Sequence, residues 1–356
     1  MKMMKLALLG GAALAVTTAS AMADDLDALK SSIESMNTAI IVPTADAPDG
    51  VSITWSGYVR QALTYYHDEG NPLGDGFDLA GGRSRLTVNA TTPTSVGDVD
   101  VHVQFGTSAN QTRSWDVSLI DYWGTWHMTP ELSFSGGRMF TGGESQSETY
   151  GNTVGLSPSF ATTTDNALQL GYSSGPVSFI VGIENGDDRA ADGGFDKTPD
   201  FYANMAWAGD MVSVGLQGNY VMNDPGLKDN YQGGANVDFS LGDAANLHIA
   251  GVVGHEECTI GGACFGLVPA ADGRGDYWGV AARIKANVTE ATYAELSGGY
   301  VDSDMYNRYN VNAGMYWAPV DQLKIGVQGD WTNTNPAGPA TSTDAISASL
   351  VSWWRF

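Results

Sequence analysis

From about residue 50 to the end, this chain keeps a rhythm of two. Apolar and polar residues alternate in run after run, and the breaks between runs are by turns short and long. Such alternation places successive side chains on opposite faces of a strand. Tyr231, Gly233, Ala235, Val237 and Phe239 alternate with Gln232, Gly234, Asn236, Asp238 and Ser240. Likewise Leu323, Ile325, Val327 and Trp331 oppose Gln322, Lys324, Gln328 and Asp330. The short breaks PTSVGD (93–98), MTPE (128–131), SSGP (173–176), AGD (208–210), LGDAAN (241–246), NVTEAT (287–292) and APVD (318–321) reverse the chain in a few turn-forming residues. Longer Gly-, Asp- and Asn-rich breaks fall near 67–80, 107–113, 139–164, 184–199, 222–230, 254–275, 302–305 and 333–343.

The runs number about sixteen and are antiparallel by connection length. They lie near 51–66, 81–92, 97–106, 114–127, 131–138, 165–173, 176–184, 200–208, 211–222, 230–240, 245–254, 276–287, 290–301, 306–317, 322–333 and 343–356. Strands of a soluble sandwich average five or six residues, whereas a strand tilted across lipid needs about nine to eleven. Most runs here reach that length. Aromatics gather near run ends, at Trp55, Tyr65, Tyr122, Trp207, Tyr220, Tyr300, Trp317, Trp331, Trp354 and Phe356, where interfacial girdles would sit. An unpaired strand edge in lipid is costly, so the first strand must pair with the last. That makes SASLVSWWRF (347–356) the mate of the strand carrying Ile53, Trp55, Gly57 and Val59. The expectation is an all-β transmembrane barrel over residues 50–356.

The N-terminus points to export. Lys2 and Lys5 precede the apolar run 6–16, and Ala21-Met22-Ala23 is a small-residue cleavage site, so residues 1–23 read as a signal peptide. Removing those two lysines from 17 Lys plus Arg leaves 15 basic groups against 40 Asp plus Glu, a net charge of −25. Nucleic acid is therefore excluded as a partner. In an oxidising compartment Cys258 and Cys264 are expected to pair as a small disulfide staple; a metal site with His255, Glu256 and Glu257 stays open as the alternative. Residues 24–49 carry Leu26, Leu29, Ile33 and Met36 at helical spacing before Pro43 and Pro48. Two readings stay open for this periplasmic extension: a short helix that trimerises or touches the cell wall, and a loose leader.

These residues resemble a Gram-negative outer-membrane porin, in particular the sixteen-stranded trimeric general porins of alphaproteobacteria. The likeness rests on ITWSGYVRQALTYY (53–66), GGRSRLTVNA (81–90), DYWGTWHMTPELSFSGGRMF (121–140) with a long third break after it, and the terminal Phe356. The resemblance implies an outer-membrane homotrimer in contact with lipid and lipopolysaccharide. It also implies that Phe356 belongs to the signal read by the barrel assembly machinery, and that the third loop folds into the pore. On that reading Glu144, Glu148 and Asp165 face Arg60, Arg83, Arg85 and Arg138 across a constriction. Simple alternation puts Arg138 on the Phe134 face, so its role needs a bulge at Gly136-Gly137 or a position beyond the lipid rim. The common family loop pattern Pro-Glu-Phe-Gly-Gly is not present.

Arg283, Lys285, Glu295, Arg308 and Lys324 fall on wet parity and are expected to line the lumen. Opposed charges would order water and let small hydrophilic solutes and ions pass, with a modest cation preference from the net charge. No cofactor is expected; structural calcium is left open at acidic breaks such as Asp187, Asp188, Asp192 and Asp196, from what related porins suggest. An enzyme is disfavoured, because the five histidines come with no G-x-S-x-G, H-E-x-x-H or paired metal motif. The alternative function is a sugar- or anion-selective channel with Tyr58, Tyr66 and Tyr277 along a binding track.

Overall fold

A computed structural model describes residues 50–68, 75–81, 84–107, 117–140, 164–184, 199–222, 229–256, 275–338 and 341–356. Its strands are β1 (Ser52–Asp68), β2 (Gly76–Gly81), β3 (Arg85–Thr92), β4 (Val99–Thr107), β5 (Val117–His127), β6 (Leu132–Phe140), β7 (Thr164–Ser174), β8 (Val177–Glu184) and β9 (Asp200–Ala208), then β10 (Val212–Val221), β11 (Asn230–Ser240), β12 (Ala245–Glu256), β13 (Gly275–Thr289), β14 (Thr292–Ser303), β15 (Tyr306–Val320), β16 (Leu323–Pro336) and β17 (Thr343–Arg355). From β4 to β16 each pairs antiparallel with its sequence neighbours, and β17 pairs with β1, so the sheet closes on itself. Seventeen segments fill sixteen positions because β2 and β3 both pair with β1. Gln61 pairs with Gly81 and Tyr58 with Arg85, so the two segments meet β1 in registers one residue apart, where a single strand was expected at 81–92.

Closure is made at the C-terminus. Gly57 and Phe356 exchange both backbone hydrogen bonds, each 3.1 Å. The Phe356 ring lies over Gly57: a Cβ there would stand 2.6 Å from its Cζ and 2.5 Å from the Arg85 carbonyl oxygen. The chain ends on an aromatic because the ring covers the backbone at the point where first and last strands meet.

Alternation separates the two faces as expected. Outward positions carry large exposed apolar side chains, among them Leu168, Leu170, Val280, Ile284, Leu296, Val311, Met315, Val327 and Leu350. A continuous apolar surface of this extent belongs in lipid rather than water. The outward aromatics near the long-break end have their polar tips tied down. Trp278 donates to Asp302, Trp331 to Asp344 and Tyr65 to Asp75, while Tyr300 packs T-shaped against Trp278 and tilted against Tyr309. Trp55, Trp317 and Trp354 mark the opposite, short-turn end. Tyr122, expected in a girdle, stands in the middle of β5. One break expected to be long, at 302–305, is a two-residue turn, Asp304–Met305. The Ser303 hydroxyl accepts from the Met305 and Tyr306 amides and donates to the Tyr306 carbonyl, which closes the turn locally.

Candidate functional site

The lumen is the candidate site, and its wall is divided by charge. Every lysine and arginine of the strands except Arg138 lies on the arc from β13 through β17 to β1 and β3: Arg283, Lys285, Arg308, Lys324, Arg355, Arg60 and Arg85. The register places all seven on the inward face. Inward carboxylate positions of that arc, among the described residues, are Asp68, Asp78, Glu295 and Asp330. The arc from β4 to β12 shows the reverse: Asp100, Asp121, Glu184, Asp200 and Asp238 point inward, with no inward lysine or arginine among its described residues.

Around the seam between β17 and β1 the cations rest on rings. The Lys324 ammonium sits 3.6 Å and the Arg60 guanidinium 3.8 Å from the Trp353 centroid. Arg60 also covers Tyr58 at 4.5 Å, Arg355 lies 5.4 Å from Trp353, and Lys285 lies 4.2 Å from Tyr293. The arrangement follows from register: Lys324 pairs with Trp353, and Trp353 with Arg60, so three strands deliver one stack. Tyr293 and Tyr316 stack at 5.0 Å beside it. Tyr316 is fully buried because it lies flat over Gly314 and Gly326, and its hydroxyl donates to Gln328. Glu295 is buried in the same wall, register-paired with Lys285.

The other arc is held by hydrogen bonds between neutral and acidic groups. His102 bridges Asn89 (2.7 Å) and Asp121 (3.2 Å) and stacks on Trp123 at 3.7 Å. His248 bonds Asp238 at 2.7 Å and His127 bonds Asp100 at 2.8 Å. Tyr202 is buried with Met139 and Ala167 and donates to Gln169. At the long-break rim, outside the lipid-facing band, Asp75 is held below the usual carboxylate range, first by the hydrogen bond from His67 and then by that from Tyr65. All five histidines are thus partnered by aspartates, the fifth pair being His255 with Asp276.

The structure brings together Arg60, Lys285, Glu295 and Lys324, which the sequence divided between constriction and general lining. Arg85 is inward and its charge reaches Asp121. Arg283 pairs with His248 and Ser297, and Arg308 donates to Thr334 near the long-break end. For Arg138, the strand runs against β5 and β7 without a register shift, so no bulge turns it inward and it pairs with outward Tyr122 near the long-break end of β6. Asp165 pairs with Met139 in β7. Arg83, Glu144, Glu148, Cys258, Cys264, the acidic break at 187–196, the signal peptide and the extension 24–49 lie outside the described residues. Trp353, Arg355, Glu184, Asp200 and Asp238 were missed as site residues; their inward parity was legible, but not the partners that register gives them.

No family model matches the chain, and none of the curated proteins does. Solved structures do. OmpT of Vibrio cholerae, an outer membrane protein, in its trimer form, superposes with a TM-score of 0.60 at 12% identity, covering 86% of this chain and 100% of that one. A mutant of the Rhodopseudomonas blastica porin gives 0.58 at 17% identity, over 85% and 100%. The anion-selective porin of Comamonas acidovorans gives 0.65 at 10% identity, over 86% and 100%. At these identities the likeness carries the fold, and the fold of this chain is the closed sixteen-stranded porin barrel.

Proposed function

We propose that this chain is an outer-membrane porin: a water-filled channel for passive diffusion of small hydrophilic solutes and ions, with no chemistry of its own. The observation that carries the reading is a closed barrel whose outer face is apolar and whose inner face is charged on every arc. Only a solvated interior accommodates so many ionisable groups without large desolvation costs. The assembly we infer is a homotrimer in lipid and lipopolysaccharide, inserted by the barrel assembly machinery with Phe356 as part of the signal. The solved OmpT trimer supports the oligomer.

A modest cation preference follows from the net charge, opposed inside by the basic seam. The alternative of a solute-selective channel draws on the anion-selective neighbour and on that seam. The aromatic track supports it less. Tyr277 is buried, with its hydroxyl given to Gln232, and Tyr58 is covered by Arg60. Liposome swelling with sugars of increasing size tests the channel. Rates that fall smoothly with solute size support diffusion, and liposomes that do not swell in any sugar would refute it.

A further inference from the structure

We propose that the seam wall is a docking station for small multivalent oxyanions, placed toward the short-turn mouth of the lumen. The inference rests on the channel reading and adds a solute class to it.

Position comes first. Lys324 stands two residues beyond the Asp321–Gln322 turn, Tyr293 and Glu295 follow the Glu290–Ala291 turn, and Arg355 is the penultimate residue. Trp353 and the cations on it therefore lie toward the short-turn end of the barrel, where β17 ends.

The second argument is how the cations are held. Lys324 and Arg60 crowd onto one indole at 3.6 and 3.8 Å, with Arg355 at 5.4 Å. An aromatic face attracts each cation through its quadrupole but carries no net charge. Ring seats hold like charges side by side and add no charge of their own. On the β13-to-β1 arc, Glu295 is the inward carboxylate at this level among the described residues, beside Arg60, Lys285, Lys324 and Arg355. Asp330 lies three inward positions further up β16 and accepts from Ser347.

The third argument is spacing. The cations come from β1, β13, β16 and β17, and adjacent strands are about 4.8 Å apart. An anion with two or three carboxylate or phosphate groups can span several of them, whereas chloride meets one at a time. The guanidiniums of Arg60 and Arg355 suit oxygen pairs in particular. Across the lumen at the same end, Asp100 and Asp238 would push such an anion toward the seam.

Planar-bilayer recording of the full-length protein in KCl, with citrate or inorganic pyrophosphate added, tests this. Lys285→Gln and Arg355→Gln remove two of the three seam cations that are not buried, and their step size in KCl reports whether the barrel is intact. We expect both anions to interrupt the wild-type current. Each variant should raise the half-blocking concentration about tenfold, the loss of one charge-assisted contact. Channels indifferent to both anions, or variants blocked like wild type, would overturn the station and leave the channel standing. Protein that gives no steps at all would overturn the channel reading itself.

Discussion

The seam wall and the wall facing it carry opposite charges and are held by different contacts. On β16, β17 and β1, cations lie on Trp353 and Tyr58, and the stack of Arg60 on Trp353 joins the first strand to the last. On β8 to β12, carboxylates, amides and histidines bond one another between strands that follow directly in sequence, as His248 does with Asp238. The difference teaches that the transverse field expected between an inserted loop and the first strands is already present in the barrel wall. It also shows where the chain is most exposed to error, because the seam closes only after the last residues have arrived.

The largest effect expected from breaking this contrast is at Trp353. Trp353→Ala should cost about 3–5 kcal/mol of barrel stability, since it removes a buried ring and the seat of three cations. Tyr202→Ala on the far wall should cost about as much but leave ion selectivity unchanged. Heat-induced mobility shifts of the folded barrel, read alongside reversal potentials, separate the two. Matched glycines offer the next comparison. A Cβ at Gly57 meets the Arg85 carbonyl, which cannot move, whereas at Gly182 it meets only the Tyr202 ring, which can swing away. Gly57→Val should therefore destabilise by about 1–3 kcal/mol more than Gly182→Val in the same assay.

Reversing the seam charges with Lys285→Glu and Arg355→Glu should raise the potassium-to-chloride permeability ratio on the order of tenfold. An unchanged reversal potential would mean that the seam does not face the conducting path. The smallest effect is at the rim. The folded-state carboxyl of Asp75 titrates below its unfolded value, so its contribution is present above the unfolded value and is lost as pH falls through the depressed one. Thermal midpoints of wild type and Asp75→Asn should differ slightly at neutral pH and converge in strong acid.

Much of the fold was legible because lipid imposes a simple rule on every strand. β9 was expected at 200–208 and found there, and the inward parity of Arg60 and Lys324 was read from alternation alone. The irregularities were not legible. The one-residue change of register between the β1–β2 and β1–β3 pairings, and the shift between Gln104 and Phe105 that lets both Leu119 and Asp121 keep their proper faces, arise from pairing with another strand and leave no periodic trace. The site was legible as parity but not as company. That Lys324 and Arg60 share one indole depends on the β16–β17 and β17–β1 registers, which a single strand does not encode. The bulge invoked to turn Arg138 inward had only its two glycines behind it, and the registers of β6 run through them unshifted.

Single-channel conductance of the purified protein in a planar bilayer under a salt gradient tests the central claim most directly. The account predicts large, stable steps arriving in triplets, with a reversal potential only weakly on the cation side because the acidic breaks and the basic seam oppose each other. A membrane that stays silent after verified insertion would contradict the water-filled channel.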